Sequence, residues 1–456
     1  MADRPNILYV FSDQQAHHML SCAGNEDLQT PHMDGLAGAG VRFTDAYCPF
    51  PLCTPCRASM FTGRYPHELG ITWNSQPIGE ADLPRGLGRL LSEAGYDCAY
   101  GGKWHVPEIA MPEENVHGFR RLSGFNDAEL PGAAAAFLRE AHDRPWFLVC
   151  GFDNPHNVCE HARHQWLPWG QIPDAPVADC PNLPPNAGRG SAWPEALSRE
   201  QESLPNVYVG PYYTEEEWRR LRHGYARMTE FVDAGLGVIL DALRDSGQWE
   251  NTLIVYASDH GDAAGAHGWN QKTALFEEVA RVPFLVKAPG ADGNGGVDGR
   301  LVHSAFDFYA TALDYAGLTP PDGARGTSLR PALEGAAGPE WRDHVVIETH
   351  FGHPRERGAK GLMARAGRHK YVLYSWGRHR EQLFDLERDP GELVNLAVES
   401  RHAETLDRMR ALVDAWCRET DYNGFGHYGW HGRSRGVPGH EYDDTPLTPA
   451  QRQPPY

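Results

Sequence analysis

Residues 51–64 read Pro-Leu-Cys-Thr-Pro-Cys-Arg-Ala-Ser-Met-Phe-Thr-Gly-Arg. Pro55 is tolerated only near a helix start. Ala58 to Phe61 continue a helix and Gly63 ends it. Cys53 therefore falls at or just before a helix N-terminus, where free N–H groups and the helix dipole favour an anion. Arg57 follows one turn later on the same side. A nucleophile beside an arginine and a helix start suits an anionic substrate. The same Cys53-Thr54-Pro55-Cys56 is also a Cys-x-x-Cys at a helix start, the pattern of a thiol redox pair. That second reading predicts no metal and leaves Asp13, Asp259, His260 and Lys272 without a role.

Further chemistry-bearing residues stand at the ends of short apolar runs. Residues 6–12 run into Asp13-Gln14, and residues 97–100 into Gly101-Gly102-Lys103-Trp104-His105. Residues 146–152 run into Asp153-Asn154-Pro155-His156, and residues 253–257 into Ser258-Asp259-His260-Gly261-Asp262. These runs, with residues 283–287, read as buried strands. Helical patterns lie between them, most plainly over 215–245, where Trp218, Leu221, Tyr225, Met228, Val232, Ile239 and Leu243 recur at helical spacing. Strands alternating with helices predict an α/β fold with a large, mostly parallel sheet. Open sheets of that kind carry their sites at the carboxyl ends of the strands. Four strand ends bearing Asp, Lys and His point to one shared site.

The chain of 456 residues exceeds the size at which one core stops growing. Residues 1–338 read as the catalytic domain. Within it, 160–213 is an irregular insert rich in Pro, Trp, Asn and Gly, expected to line the pocket. From 339 to 422 a smaller α+β subdomain is expected, with short strands at 344–349, 370–375 and 382–386 and a helix at 403–419. The tail 423–456 has no core pattern and reads as trailing in solvent or as a contact between subunits of a homo-oligomer. Nine cysteines without repeating spacing argue against a disulfide framework. No apolar run reaches membrane length, and the short apolar segment after Pro5 is too brief for a secretory signal, so a cytoplasmic location is expected. The net charge of −19 disfavours nucleic acid and anionic membranes as partners. It also means that an anionic substrate must be held by a local cluster of cations.

Several segments occur together and in one order. They are Arg4-Pro5-Asn6-Ile7-Leu8 through Asp13, Cys53-Thr54-Pro55-Cys56-Arg57 with Thr62-Gly63-Arg64, Gly102-Lys103-Trp104-His105, Ser258-Asp259-His260-Gly261, and Lys272 before Phe276-Glu277. Leu383-Phe384-Asp385-Leu386, Asp389-Pro390-Gly391-Glu392 and Asn395-Leu396 follow. In this order they resemble the sulfatase family of the alkaline-phosphatase-like superfamily. The resemblance implies that Cys53 is oxidised to formylglycine by a maturation enzyme, and that a small sulfate ester (sugar, aryl or alkyl) is the substrate. An aldehyde hydrate has one hydroxyl to attack sulfur and a second to expel sulfate afterwards.

The resemblance assigns Asp13, Gln14, Asp259 and His260, with residue 53, to a divalent metal, Ca²⁺ first and Mg²⁺, Mn²⁺ or Zn²⁺ as alternatives. Many sulfatases carry a carboxylate where Gln14 stands and an amide where His260 stands. The Gln/His pairing also resembles phosphonate monoester hydrolases of the superfamily, which keeps a phosphonate monoester or phosphodiester substrate as the alternative. Arg57, Lys103 and Lys272 match cations that hold the sulfate. His105 matches a histidine on the nucleophile and His156 one near the leaving group, a general acid, with Lys272 able to share that role. Asn74 and His267 lie in substrate-binding neighbourhoods.

Overall fold

The computed structural model describes residues 4–106, 117–291, 293, 295–336, 338, 340–352 and 358–425. The main sheet contains β1 (Asn6–Asp13), β2 (Val41–Tyr47), β3 (Asp97–Gly102), β4 (Arg120–Arg121), β5 (Trp146–Pro155), β6 (Thr252–Ser258), β7 (Phe284–Lys287) and β8 (Gly296–His303). Their order is β4-β3-β5-β1-β6-β7-β2-β8, and only β7 runs antiparallel to its neighbours. The α/β fold with a large, mostly parallel sheet is therefore present.

Alternation along β1 shows how the core forms. Successive side chains of a strand face opposite sides. Ile7, Tyr9 and Phe11 pack with Ala58, Met60 and Phe61 of the helix α2 (Cys53–Thr62) and with the helix Ser304–Tyr315. Leu8 and Val10 face the other way, against Met33 and Leu36 of α1 (Pro31–Ala39) and the helices Leu130–Arg139 and Glu215–Asp245. Both faces are covered, which is why these strands are apolar throughout. The long helix starts at a capping box: Glu217 N–H donates to Thr214 Oγ1 at 3.3 Å, and Thr214 N–H to Glu217 Oε2 at 2.6 Å.

A second, antiparallel sheet follows, in the order β12-β11-β10-β9, from β9 (His344–His350), β10 (Lys360–Ala366), β11 (His369–Tyr374) and β12 (Glu381–Asp385). The helix Ala403–Glu419 packs on β10. β10 was not among the predicted strands. Lys-Gly-Leu-Met-Ala-Arg-Ala has no β-branched residue, so its pairing with β9 and β11 decides its state. Leu362, Tyr371, Leu406 and Val413 join the same apolar cluster as Ile7 and Phe11, so the two sheets share one core.

Residues 160–213 hold only short helices, the longest being Glu195–Ser203. From residue 426 onward the expected intersubunit tail lies outside the described residues. No helix among the described residues is long and apolar enough to cross a membrane.

Candidate active site

The strand order brings the four polar strand ends together, because β3, β5, β1 and β6 are consecutive neighbours. Ser12 pairs with Ser258, so Asp13 and Asp259 leave the sheet side by side. Gly102 pairs with Gly151, and Lys103 N–H donates to the Gly151 carbonyl at 2.8 Å. Gly102 has φ 87°, and a Cβ there would stand 2.1 Å from the Gly151 oxygen. Only glycine allows this approach.

Helix α2 delivers Cys53 to the same place. Its first residue is Cys53 and its C-cap is Gly63 at φ 69°. Pro55 lies in the first turn, where its missing N–H is no loss. Thr54 N–H donates to Asn74 Oδ1 at 3.1 Å, so Asn74 satisfies a free amide of the helix start. The Cys53 sulfur is fully buried, 3.2 Å from Lys272 Nζ, 3.3 Å from His260 Nε2 and 3.5 Å from Asp13 Oδ1. Burial and Asp13 oppose its ionisation, but Lys272, Lys103 and His260 hold the thiol well below its usual range.

Arg57 is also fully buried. Its Nε donates to Asp259 Oδ2 and one terminal nitrogen to Asp13 Oδ2, both at 2.8 Å. The other terminal nitrogen meets the Lys103 carbonyl at 2.5 Å. The guanidinium thus clamps two carboxylates that would otherwise repel each other. Lys103 Nζ lies 2.7 Å from Asp13 and 2.9 Å from Asp153. Burial favours the neutral carboxyl at Asp13, yet Lys103, His156, Arg57 and Lys272 keep it well below the carboxylate range. Burial and Asp13 push Asp259 the other way, above that range.

The ligand atoms of Asp13, Cys53, Asp259 and His260 all lie within 4.8 Å of one another. His260 Nδ1 is 3.1 Å from the Gly261 carbonyl, which makes Nδ1 a donor and turns Nε2 into the cluster. Two carboxylates and an imidazole so arranged fit a divalent cation.

Gln14, at φ 76°, accepts from Lys272 Nζ at 2.9 Å through its amide oxygen. His156 Nδ1 is 3.9 Å from Asp153 and 3.8 Å from Glu160. Burial, Lys103 and Lys272 hold its imidazole well below the usual range. The His105 carbonyl accepts from Thr54 Oγ1 at 2.7 Å, while its ring Nδ1 is buried without a partner among the described residues. His267 stands apart, stacked on Phe276 and 4.0 Å from Glu278. Cys56 points away from the cluster into the core beside Cys48, and all nine cysteines are free.

Sequence reasoning did not single out Asp153 or Trp169. Asp153 accepts from Lys103, from Asn157 Nδ2 at 2.9 Å and from Trp169 Nε1 at 2.8 Å. Its place at a strand end was the available signal. Trp169 comes from the irregular insert, where no pattern marks it.

This sheet, with a buried cysteine at a helix start facing carboxylates and cations at the strand ends, defines an alkaline-phosphatase-like hydrolase. Comparison with known proteins narrows the class. The sequence profile of the Sulfatase family matches residues 5–318, and that of N-sulphoglucosamine sulphohydrolase, C-terminal, matches residues 265–418. A Delta 4,5-hexuronate-2-O-sulfatase of Bacteroides thetaiotaomicron is 29% identical, over 90% of this chain and 88% of the relative. The structure of a 2-O GAG sulfatase superposes with a TM-score of 0.79 at 26% identity, covering 92% of this chain and 93% of the other. A phosphonate monoester hydrolase of Agrobacterium radiobacter shares the fold at a TM-score of 0.76 and 23% identity, covering 91% and 96%. The chain belongs to the sulfatase family and is a sulfuric ester hydrolase.

Proposed function

We propose that this enzyme hydrolyses the sulfate ester of a small sugar through formylglycine formed from Cys53, with a divalent cation bound beside it. The observation that carries this reading is the position of Cys53, at the centre of a buried shell of Asp13, His260 and Lys272. The named sugar sulfatase among the relatives favours a sugar over an aryl or alkyl ester.

Arg57 pairs with Asp13 and Asp259 and keeps them aligned. Lys103 and Lys272, both well above the usual lysine range, meet the anionic group and stabilise charge passing to the leaving oxygen. His156, on the rim, gives the leaving oxygen its proton. Asp13, Gln14, Asp259 and His260 would hold the cation, which would supply Lewis acidity at the site. The aldehyde at position 53 would add one water to become a hydrate with two hydroxyls, one to attack the ester and one to release the product.

The mass of the peptide carrying Cys53, taken from protein made in its native cells, tests the maturation step. An unmodified thiol in active enzyme refutes it. A second reading, hydrolysis of a phosphonate monoester, is favoured by the Gln14/His260 pair and by the shared fold of a phosphonate monoester hydrolase. Rates on a sulfate and a phosphonate ester with one leaving group decide between them, and faster phosphonate cleavage overturns the first.

A further inference from the structure

The side chain of Gln14 is fully buried, and its two amide atoms meet neighbours of opposite kind. Its oxygen accepts from Lys272 Nζ at 2.9 Å. Its nitrogen lies 2.6 Å from Asp262 Oδ2 and 3.2 Å from Cys159 Sγ. An ammonium can only donate and a carboxylate can only accept. Both neighbours therefore demand the same orientation, with Oε1 toward the nucleophile and Nε2 away from it. Asp262 is itself held rigidly: it is 1% exposed and accepts Ala264 N–H at 2.7 Å and Gln271 N–H at 3.1 Å.

We propose that Asp262 is a positioning residue that aims the Gln14 oxygen at the cation and supplies, one residue removed, the negative charge a glutamine lacks. This rests on the cation reading of the cluster. A carboxylate at the amide nitrogen polarises the amide and makes its oxygen a stronger ligand, as an outer carboxylate does for a metal-bound histidine. In the Asp262→Asn variant one acceptor atom replaces two, so the N–H donors of Gln14, Ala264 and Gln271 can no longer all be met, and the charge behind the Gln14 amide is lost.

The test reads cation affinity rather than turnover. The full chain is stripped with chelator and titrated calorimetrically with Ca²⁺ and with Mn²⁺. Wild type takes up one ion of either kind at this cluster. Asp262→Asn weakens that binding by about 10–100-fold. Gln14→Ala weakens it too, and D262N costs much less in the Gln14→Ala background than in wild type, because the part of its effect that acts through Gln14 has nothing left to act on. Q14E/D262N, which exchanges charge and donor, regains wild-type affinity. Undiminished affinity in D262N, or an equal loss from D262N in the Gln14→Ala background, overturns the proposal. If D262N does not fold, Q14E/D262N decides alone: regained affinity supports the proposal and lost affinity overturns it. A wild-type chain that binds neither ion removes the cation reading itself and the proposal with it, a failure visible before any variant is made.

Discussion

Arg57 organises the site through the two carboxylates it grips. It is the clamp between Asp13 and Asp259, and all three side chains are fully buried. Removing one partner of a buried ionic group strands the others, at a cost of about 3–5 kcal/mol. Arg57→Met is therefore expected to lower the urea midpoint sharply. Added divalent cation should recover part of the loss, because it neutralises the same two carboxylates. His156 invites a different test. Burial and two lysines favour its neutral form, and a bound anion would offset those lysines. His156→Asn should lower kcat by about 10²–10⁴-fold on an alkyl or sugar sulfate. A nitrophenyl sulfate, whose leaving oxygen needs no proton, should lose far less. Equal losses on both would refute the acid role. The sequence shows which residue types gather here, since each follows an apolar run. It does not show that the donors of Arg57 are already committed. An arginine one turn beyond a nucleophile is equally placed to grip a substrate, and only the Ser12–Ser258 register turns it onto carboxylates.

At the scale of elements, the site depends on where strands stop. The end of β5 is held by Asp127, whose two oxygens accept the Asp153 and Asn154 N–H groups, each at 2.7 Å. Those bonds set Asp153 against Lys103. Burial and then Asp153 push the Asp127 carboxyl up to about 7, from 3.8 in the free residue. Between these two values the folded chain holds a proton that the unfolded chain has lost. The contribution of Asp127 to stability is thus full below about pH 4 and fades as pH rises through 7. Asp127→Asn cannot titrate. Relative to that variant, wild type should lose stability over this window with a slope approaching about 1.4 kcal/mol per pH unit. Denaturant midpoints at pH 4.5 and 7.5 check it, and an unchanged difference between the two proteins would contradict it. The strands β1, β3, β5, β6 and β7 were legible because burial on both faces makes them continuously apolar. β8 was not, since Gly-Val-Asp-Gly-Arg at the sheet edge is half solvated. The antiparallel direction of β7 was hidden for another reason: four buried residues look alike whichever way they run.

For the whole molecule, the question is how the second sheet bears on a site built from the first. Lys370 of β11 is fully buried, with Nζ 2.6 Å from Glu392 and 3.1 Å from Glu277. Glu277 lies five residues beyond Lys272, and its N–H donates to Glu392 Oε2 at 2.7 Å. Tyr47 of β2 donates to the other Glu277 oxygen at 2.9 Å. One ammonium therefore joins β11 to the segment that carries Lys272. Burial pushes the Glu392 carboxyl up to about 8 even though Lys370 draws it down, so losing that ammonium raises it further. Lys370→Met should cost about 3–5 kcal/mol. Because the two sheets share one apolar cluster, the loss should appear as a lower midpoint of a single transition, with activity falling alongside it. K370M/E392Q should regain part of the stability, since it removes one of the stranded carboxylates. Two separate transitions in Lys370→Met, the later one keeping the wild-type midpoint and activity, would show instead that the first sheet holds Lys272 in place without help from the second.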